Sequence, residues 1–182
     1  MKASIVLIIV LVVNILIIAL HFIYITPAIE LRKLPLPVGH DQDIAALKAL
    51  EDQVARGWAQ GEAALMADAF TEDADYVTFM GQWLKGKEEI RDAHQQLFDG
   101  PLKGSTLVGR TIHSIEFTND STALLHISGS VKPKWRKQAA KSRLSIQTLV
   151  AIKQQNVWKF KAFHNARVSR ISLWDVLTMD LK

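Results

Sequence analysis

The sequence predicts an α+β domain in which a curved antiparallel sheet wraps around three N-terminal helices, preceded by a single transmembrane helix. Three observations predict it. An apolar run fills residues 5–25, helical patterns occupy much of residues 43–99, and four β segments fill most of residues 107–168. Helices followed by consecutive strands are typical of a sheet that packs on a helical layer. The 182 residues allow one such domain with an appendage.

The apolar run is interrupted only by Asn14 and His21. A helix of this length reaches about 31 Å at ~1.5 Å per residue, close to the ~30 Å of a bilayer core. A secretory signal has a shorter apolar region and a cleavage site of small residues, whereas Pro27 stands at the centre of Thr-Pro-Ala here. We therefore expect residues 1–25 to be an uncleaved anchor. The short basic amino terminus favours a bacterial inner membrane with the globular part on the periplasmic side.

A linker follows the anchor and precedes the domain. Residues 26–42 hold three prolines and no periodicity, which predicts a semi-rigid stalk. The domain is then expected over residues 43–168. Apolar spacings of three and four predict a first helix from Asp43, and similar patterns predict helices over residues 62–70 and 87–99. Residues 71–73 are expected to form a turn, and residues 75–80 a strand.

The second half of the chain is rich in strand signals. Four β segments are predicted over residues 107–118, 122–131, 144–153 and 157–168. Residues 169–182 are expected to form an amphipathic tail. In it, Ser172 caps a short helix and Asp175 supplies the acidic half of a capping box.

Composition excludes several function classes. The chain has no cysteine, which rules out disulfides, thiolate metal sites and a cysteine nucleophile. Glycine-rich phosphate loops and the serine-hydrolase elbow are absent, so no cofactor is predicted. The histidine spacing predicts no metal site. Residues 132–143 carry six cations, which favour a solvated hairpin, then contact with anionic lipid, and nucleic acid last.

Strand alternation selects candidate site residues. His164 shares parity with Trp158 and Phe160, so we expect it to face the interior. By the same argument His113 points inward. His94 lies one helical turn after Ile90, so we expect it on the apolar side of its helix. These imidazoles are candidate bases or ligand contacts, and Asp75 adds a carboxylate. The alternative for each is an ordinary core histidine with satisfied ring nitrogens.

Three segments carry a resemblance to a known family. AFTEDADYVTFMGQWLKGKEEIRDAHQQLFDG (69–100), LKGSTL (102–107) and WKFKAFHNARV (158–168) occur in this order. Residues 44–168 thereby resemble the SgcJ/EcaC branch of the SnoaL-like proteins, which share the cystatin-like cone of nuclear transport factor 2 and ketosteroid isomerase. The resemblance implies a cone with an interior pocket, often in a homodimer. It leaves the chemistry open, because this fold hosts isomerases, cyclases, dehydratases and binding modules.

Three functions are compatible with these features. One of them is a structural domain whose pocket is filled by its own side chains, and the other two use an open pocket. The first is a membrane-anchored domain that binds a small apolar or amphipathic ligand. The second is an enzyme of the isomerase, cyclase or hydratase type, in which His164 or Asp75 is the base and Tyr76 donates to a developing oxyanion. The predicted ligand-binding residues are Tyr76, Phe79, Trp83, His94, His113 and His164.

Overall fold

The computed structural model describes residues 2–26 and 28–179. The elements along the chain are helix α1 (Lys2–Phe22), helix α2 (Asp41–Gln60), helix α3 (Ala63–Ala67), strand β1 (Phe70–Val77), strand β2 (Trp83–Lys85), helix α4 (Gly86–Asp99), strand β3 (Thr106–Asn119), strand β4 (Thr122–Lys132), strand β5 (Leu144–Gln154), strand β6 (Val157–Arg167) and helix α5 (Leu173–Leu177). They form two compact units. One comprises residues 31–168, called the cone domain below, and the other combines residues 1–30 with 169–182.

The unit formed by the two chain ends contains α1 and α5. Between Ile5 and Phe22, α1 is long and apolar enough to cross a membrane, and none of it is buried inside the protein. The two polar residues inside the apolar run bond to the preceding turn of the helix: Asn14 Nδ2 donates to the Val10 carbonyl, and His21 Nδ1 lies 2.8 Å from the Ile17 carbonyl. Helix α5 begins with the predicted capping box. The last tail residues, 180–182, lie outside the described residues, as does Pro27 of the linker.

The cone domain is built on one six-stranded sheet in the order β2-β1-β6-β5-β4-β3. Four of its five pairings are antiparallel, but β1 and β6 run parallel. The prediction of a wholly antiparallel sheet is therefore wrong. Parallel neighbours need a long crossover connection, and here all the elements between β1 and β6 provide it.

Helices α2, α3 and α4 supply the helical layer of the cone domain. Buried side chains of α2 and α4, such as Leu47, Ile90 and Phe98, belong to one hydrophobic cluster with Leu125 and Phe160 of the sheet. A polar contact also ties α2 to the sheet, because Trp158 Nε1 donates to Asp43 Oδ1 at 2.8 Å.

Several predicted boundaries differ from the structure. The helix predicted over residues 62–70 corresponds to α3, which ends at Ala67. Strand β1 begins at Phe70, so the turn expected at residues 71–73 lies inside a strand. The Phe160 amide donates to the Ala69 carbonyl at 2.9 Å, which draws this segment into the sheet. Part of the expected linker also belongs to the cone domain, because the Leu34 amide donates to the His113 carbonyl at 2.7 Å.

A β-bulge in β6 decides which residues face the interior. Ala151 of β5 is opposite Phe160, and the next residue, Val150, is opposite Ala162, so Lys161 is an extra residue in β6. A bulge of this kind reverses the alternation of side chains beyond it. Phe160 is buried on the inner side, whereas His164 is exposed. The prediction that His164 faces the interior is therefore wrong.

Candidate ligand-binding cavity

The cone domain contains a cavity of about 560 Å³ between its helices and the inner face of the sheet. This volume is in the range of sites for small molecules. Its wall includes apolar side chains (Val54, Trp58, Met66, Phe70, Phe79, Leu97, Leu107, Leu149, Phe160, Phe163), polar and charged ones (Glu51, Tyr76, His94, Arg110, Arg143, Ser145, Gln147, Asn165) and Trp135.

The inner part of the cavity is apolar and aromatic. The pairing registers place Tyr76 of β1, Phe163 of β6 and Leu149 of β5 side by side. The Tyr76 and Phe163 rings stack, with centroids 4.1 Å apart and planes 12° apart. Phe70 and Phe160 add two more rings, and both are buried. A hydrocarbon or ring system is the kind of ligand group that this surface accepts.

The wall becomes polar two residues further along the same strands. Gln147 of β5 is opposite Asn165 of β6, and Gln147 Nε2 donates to Asn165 Oδ1 at 3.3 Å and to Ser145 Oγ at 2.9 Å. Exposed Trp135 and Arg143 also line the cavity. Successive inward residues therefore change from Leu149 to Gln147 to Ser145, and the cavity is amphipathic along β5.

Two arginines line the cavity wall, and they differ in whether acidic side chains neutralise their charge. Arg110 is paired with Glu51, and its Nη2 atom lies 3.3 Å from Asp52 Oδ1, so its charge is compensated. Arg143 is exposed beside the polar residues of β5. It is the guanidinium placed to meet an anionic group of a ligand.

His94 is the histidine that the structure places in the cavity wall. It is buried on α4, and its Nδ1 atom lies 2.7 Å from the Ile90 carbonyl oxygen. A carbonyl only accepts hydrogen bonds, so Nδ1 carries the proton and donates it, which leaves the lone pair on Nε2. Burial lowers the pKa of His94, and the imidazole is therefore neutral near pH 7.

Tyr76 supplies a hydroxyl beside His94. The two ring centroids are 5.2 Å apart in an edge-to-face arrangement, and both side chains line the cavity. Burial raises the pKa of the Tyr76 phenol, which therefore stays protonated and able to donate. The cavity wall thus contains a hydroxyl able to donate and an imidazole nitrogen able to accept.

Asp75 and Trp83 lie on the outer side of β1 and β2 rather than in the cavity. The Asp75 carboxylate accepts hydrogen bonds from Lys85 Nζ at 2.8 Å and Trp83 Nε1 at 3.0 Å. These bonds, that of Lys85 foremost, lower the pKa of Asp75. Because Tyr76 points inward, its neighbour Asp75 points outward. The predictions that Asp75 is an interior base and that Trp83, which is 66% exposed, lines the ligand site are wrong.

Phe79 and His113 complete the set of predicted ligand contacts. Phe79 does line the cavity, and the Arg167 guanidinium lies 4.4 Å from its ring centroid. His113 is buried as predicted, but it lies outside the cavity wall. Its Nδ1 atom is 2.7 Å from the Arg32 carbonyl and its Nε2 atom 2.8 Å from Ser128 Oγ, so both ring nitrogens are engaged within the protein.

Several cavity residues escaped the sequence reasoning. Gln147 shares parity with Leu149, which is buried, but the other parity of β5 holds more apolar residues (Leu144, Ile146, Val150, Ile152). Alternation alone therefore suggested that Leu149 and Gln147 face outward, and the structure places both in the cavity wall. Asn165 and Phe163 were hidden by the bulge at Lys161, because β6 has the alternation of a regular strand. Trp58 continues the apolar stripe of α2, which is typical of a core position, and it packs against His94 and Phe98 and also lines the cavity.

Comparison with known proteins connects this cavity to a fold family. A domain of unknown function with a cystatin-like fold from Nostoc punctiforme is 30% identical, with a TM-score of 0.67, over 76% of this chain and 84% of that one. An NTF-2-like protein of unknown function from Shewanella oneidensis is 16% identical, with a TM-score of 0.58, over 68% and 98%. The chain belongs to the cystatin-like, nuclear transport factor 2-like superfamily.

This superfamily also contains enzymes. The hexachlorocyclohexane dehydrochlorinase of type 3 from Novosphingobium barchaimii is 15% identical, with a TM-score of 0.60, over 73% of this chain and 91% of that one. At this identity the likeness shows the fold alone. No family model matches the sequence, and no curated protein matches it.

Proposed function

We propose that this member of the cystatin-like superfamily is a membrane-anchored domain that binds a small amphipathic molecule in its cone. The observation that carries the proposal is the change in polarity along β5 and β6, from Leu149 and Phe163 to Gln147 and Asn165. An apolar body would pack against the aromatic residues, and a polar end would bond to the amides. The guanidinium of Arg143 favours a polar end that is anionic.

The proposed anchor is α1. Its apolar length matches a bilayer, and the two polar residues inside the apolar run bond within the helix, as the membrane interior requires. Lys2 precedes the apolar run, and Arg32 and Lys33 follow it, so the count of basic residues on the two sides is nearly even. The proposed orientation, with a cytoplasmic amino terminus and a periplasmic cone domain, rests on the short basic segment before the first span. Carbonate extraction tests the anchor: the intact chain should stay in the membrane pellet. A mature protein that begins after residue 25 would instead identify a cleaved signal.

Ligand binding is tested best on residues 31–168, which contain the whole hydrophobic core of the cone domain. A fluorescent fatty acid and an alcohol of the same chain length serve as probes. Asn165→Ala removes a polar contact from the cavity wall and should weaken binding several-fold, since such a hydrogen bond contributes about 0.5–1.5 kcal/mol. His164→Ala is the matched control on the outer side of the same strand, and it should leave binding unchanged.

Two results contradict the binding proposal. If neither probe binds, the cavity does not take amphipathic molecules. If His164→Ala weakens binding as much as Asn165→Ala does, the binding site lies on the outer side of the sheet.

A second candidate function is supported by His94. Its Nε2 atom is unprotonated, its ring is buried, and the Tyr76 ring packs edge-to-face against it in the same cavity wall, so a candidate general base and a candidate hydrogen-bond donor line one site. Removal of a proton from a bound ligand, followed by elimination, is the reaction class that this pair favours. A similar fold serves a dehydrochlorinase.

The size of one mutational effect separates the two functions. His94→Ala should cost a general base ~100-fold or more in turnover, but a binding contact only several-fold in affinity. Hydroxylated amphiphiles that bind to residues 31–168 would be incubated with the protein, and loss of water would be followed by mass spectrometry. Turnover that survives in His94→Ala would exclude this residue as the base.

A further inference from the structure

The carboxyl-terminal segment pairs with the end of α1. The Ile25 amide donates to the Ile171 carbonyl at 2.8 Å, and the Leu173 amide donates to the Ile23 carbonyl at 2.7 Å. Between them, Tyr24 and Ser172 form an antiparallel bridge. Residues 170–179, called the C-terminal clasp below, are therefore held by backbone hydrogen bonds at the point where the apolar run ends.

Side chains reinforce this pairing. The Arg170 guanidinium donates to the Thr26 carbonyl from Nε at 3.0 Å and from Nη2 at 2.9 Å, and it lies 4.1 Å from the centroid of the Tyr24 ring. The Ile171 amide donates to Thr26 Oγ1 at 3.0 Å. His21, which lies three residues before Tyr24 at the end of α1, stacks on Trp174 with the ring centroids 5.0 Å apart.

The clasp then presents apolar side chains on a short capped helix. Ser172 Oγ accepts from the Asp175 amide at 3.2 Å, and Asp175 Oδ2 accepts from the Ser172 amide at 2.9 Å, which fixes the start of α5. Beyond this cap, Val176 is 42% exposed, Leu177 58% and Met179 64%. Exposed apolar area of this kind is unfavourable in water.

The residue types of the clasp fit one environment. Tyrosine and tryptophan concentrate where a bilayer core meets its head groups, and arginine extends from that level toward water. Tyr24, Trp174 and Arg170 lie together at the end of an apolar helix of bilayer length. We propose that the clasp is a membrane-interface element, with Val176, Leu177 and Met179 inserted at the boundary between head groups and acyl chains.

The proposal rests on the proposed membrane anchor and adds a second contact to it. Residue 30 precedes the cone domain and residue 169 follows it, so two chain segments would tether this domain to the bilayer.

The absence of native cysteines allows the test to use the full-length chain. Single cysteines at Leu177, at Ile15 in α1 and at Val157, which is exposed in the cone domain, would each carry an environment-sensitive fluorophore. The protein would be reconstituted into vesicles of phosphatidylcholine and phosphatidylglycerol. Each label would then be challenged with a head-group-level nitroxide lipid and, separately, with aqueous iodide. A second label position at Val176 guards against a local effect of the Leu177→Cys substitution.

We expect the nitroxide lipid to quench the labels at 176 and 177, and iodide to quench the label at 157. The label at 15 should be protected from iodide. If the label at 15 is protected while those at 176 and 177 respond only to iodide, the clasp is not at the interface and the anchor proposal stands. Protection at 177 from both quenchers would mean that protein covers the clasp, which also overturns the inference. Iodide quenching at 15 would overturn the anchor itself.

Discussion

The inner and outer faces of β6 carry different chemistry although the same eleven residues form both. Phe160, Phe163 and Asn165 contribute to the cavity wall, whereas Lys161 and His164 lie away from it. One extra residue at Lys161 produces this division, because it reverses the alternation halfway along the strand. A single bulge therefore determines that an amide, and not an imidazole, faces the cavity at this end of β6.

The largest expected difference between the two faces concerns stability. Phe160→Ala should lower the free energy of unfolding by about 3–5 kcal/mol, because Phe160 is fully buried and the cavity left behind cannot close completely. Lys161→Ala, one residue further on the outer face, should have a small effect. Urea denaturation of residues 31–168 measures both. Equal losses of unfolding free energy in the two variants would show that Phe160 contributes no more to stability than Lys161.

A second prediction concerns the buried imidazole of His94 and its contribution to the pH dependence of stability. Burial lowers the pKa of His94 in the folded state, so the unfolded chain binds more protons near the ordinary pKa of about 6.5. Stability should therefore be full above pH ~6.5 and fall as the pH decreases below it. His94→Gln should remove this part of the pH dependence, whereas His164→Gln should retain it. Denaturation curves of both variants between pH 7.5 and 5, a range of ~2.5 units around that pKa, decide the matter.

The smallest expected effect concerns the outward carboxylate of β1. Asp75→Asn breaks an exposed ion pair with Lys85, and such pairs contribute little to stability. Ligand affinity should also be unchanged, because Asp75 lies outside the cavity wall. A titration of this variant with the fatty acid probe checks the prediction, and a large loss of affinity would return Asp75 to the site.

Hydrophobic periodicity predicted most of the fold. The four long strands and the third helix of the cone domain lie within one or two residues of their predicted ends, and the capping box at Ser172 is present. The early start of β1 was not predictable, because it depends on a hydrogen bond between Ala69 and Phe160, far apart in the sequence. The parallel pairing of β1 with β6 is equally non-local.

The candidate site was predictable only in part. Tyr76, Phe79 and His94 do line the cavity wall. For His94 the helical spacing from Ile90 was sufficient, whereas Tyr76 and Phe79 were selected as aromatic residues and Phe79 lies in the turn after β1. His164 and Asp75 were misplaced for different reasons. The bulge at Lys161 leaves no mark in the sequence, and Asp75 was selected for its chemistry although its neighbour Tyr76 already indicated the inward parity.

The central claim is that an amphipathic ligand occupies the cone and contacts the inner face of β5. Gln147→Trp would fill the polar part of the cavity, while Thr148→Trp places the same side chain at an exposed position one residue away. Calorimetric titration of residues 31–168 with a fatty acid should show that binding is lost in Gln147→Trp and retained in Thr148→Trp, with both variants folded by circular dichroism. Undiminished binding in Gln147→Trp would contradict the account.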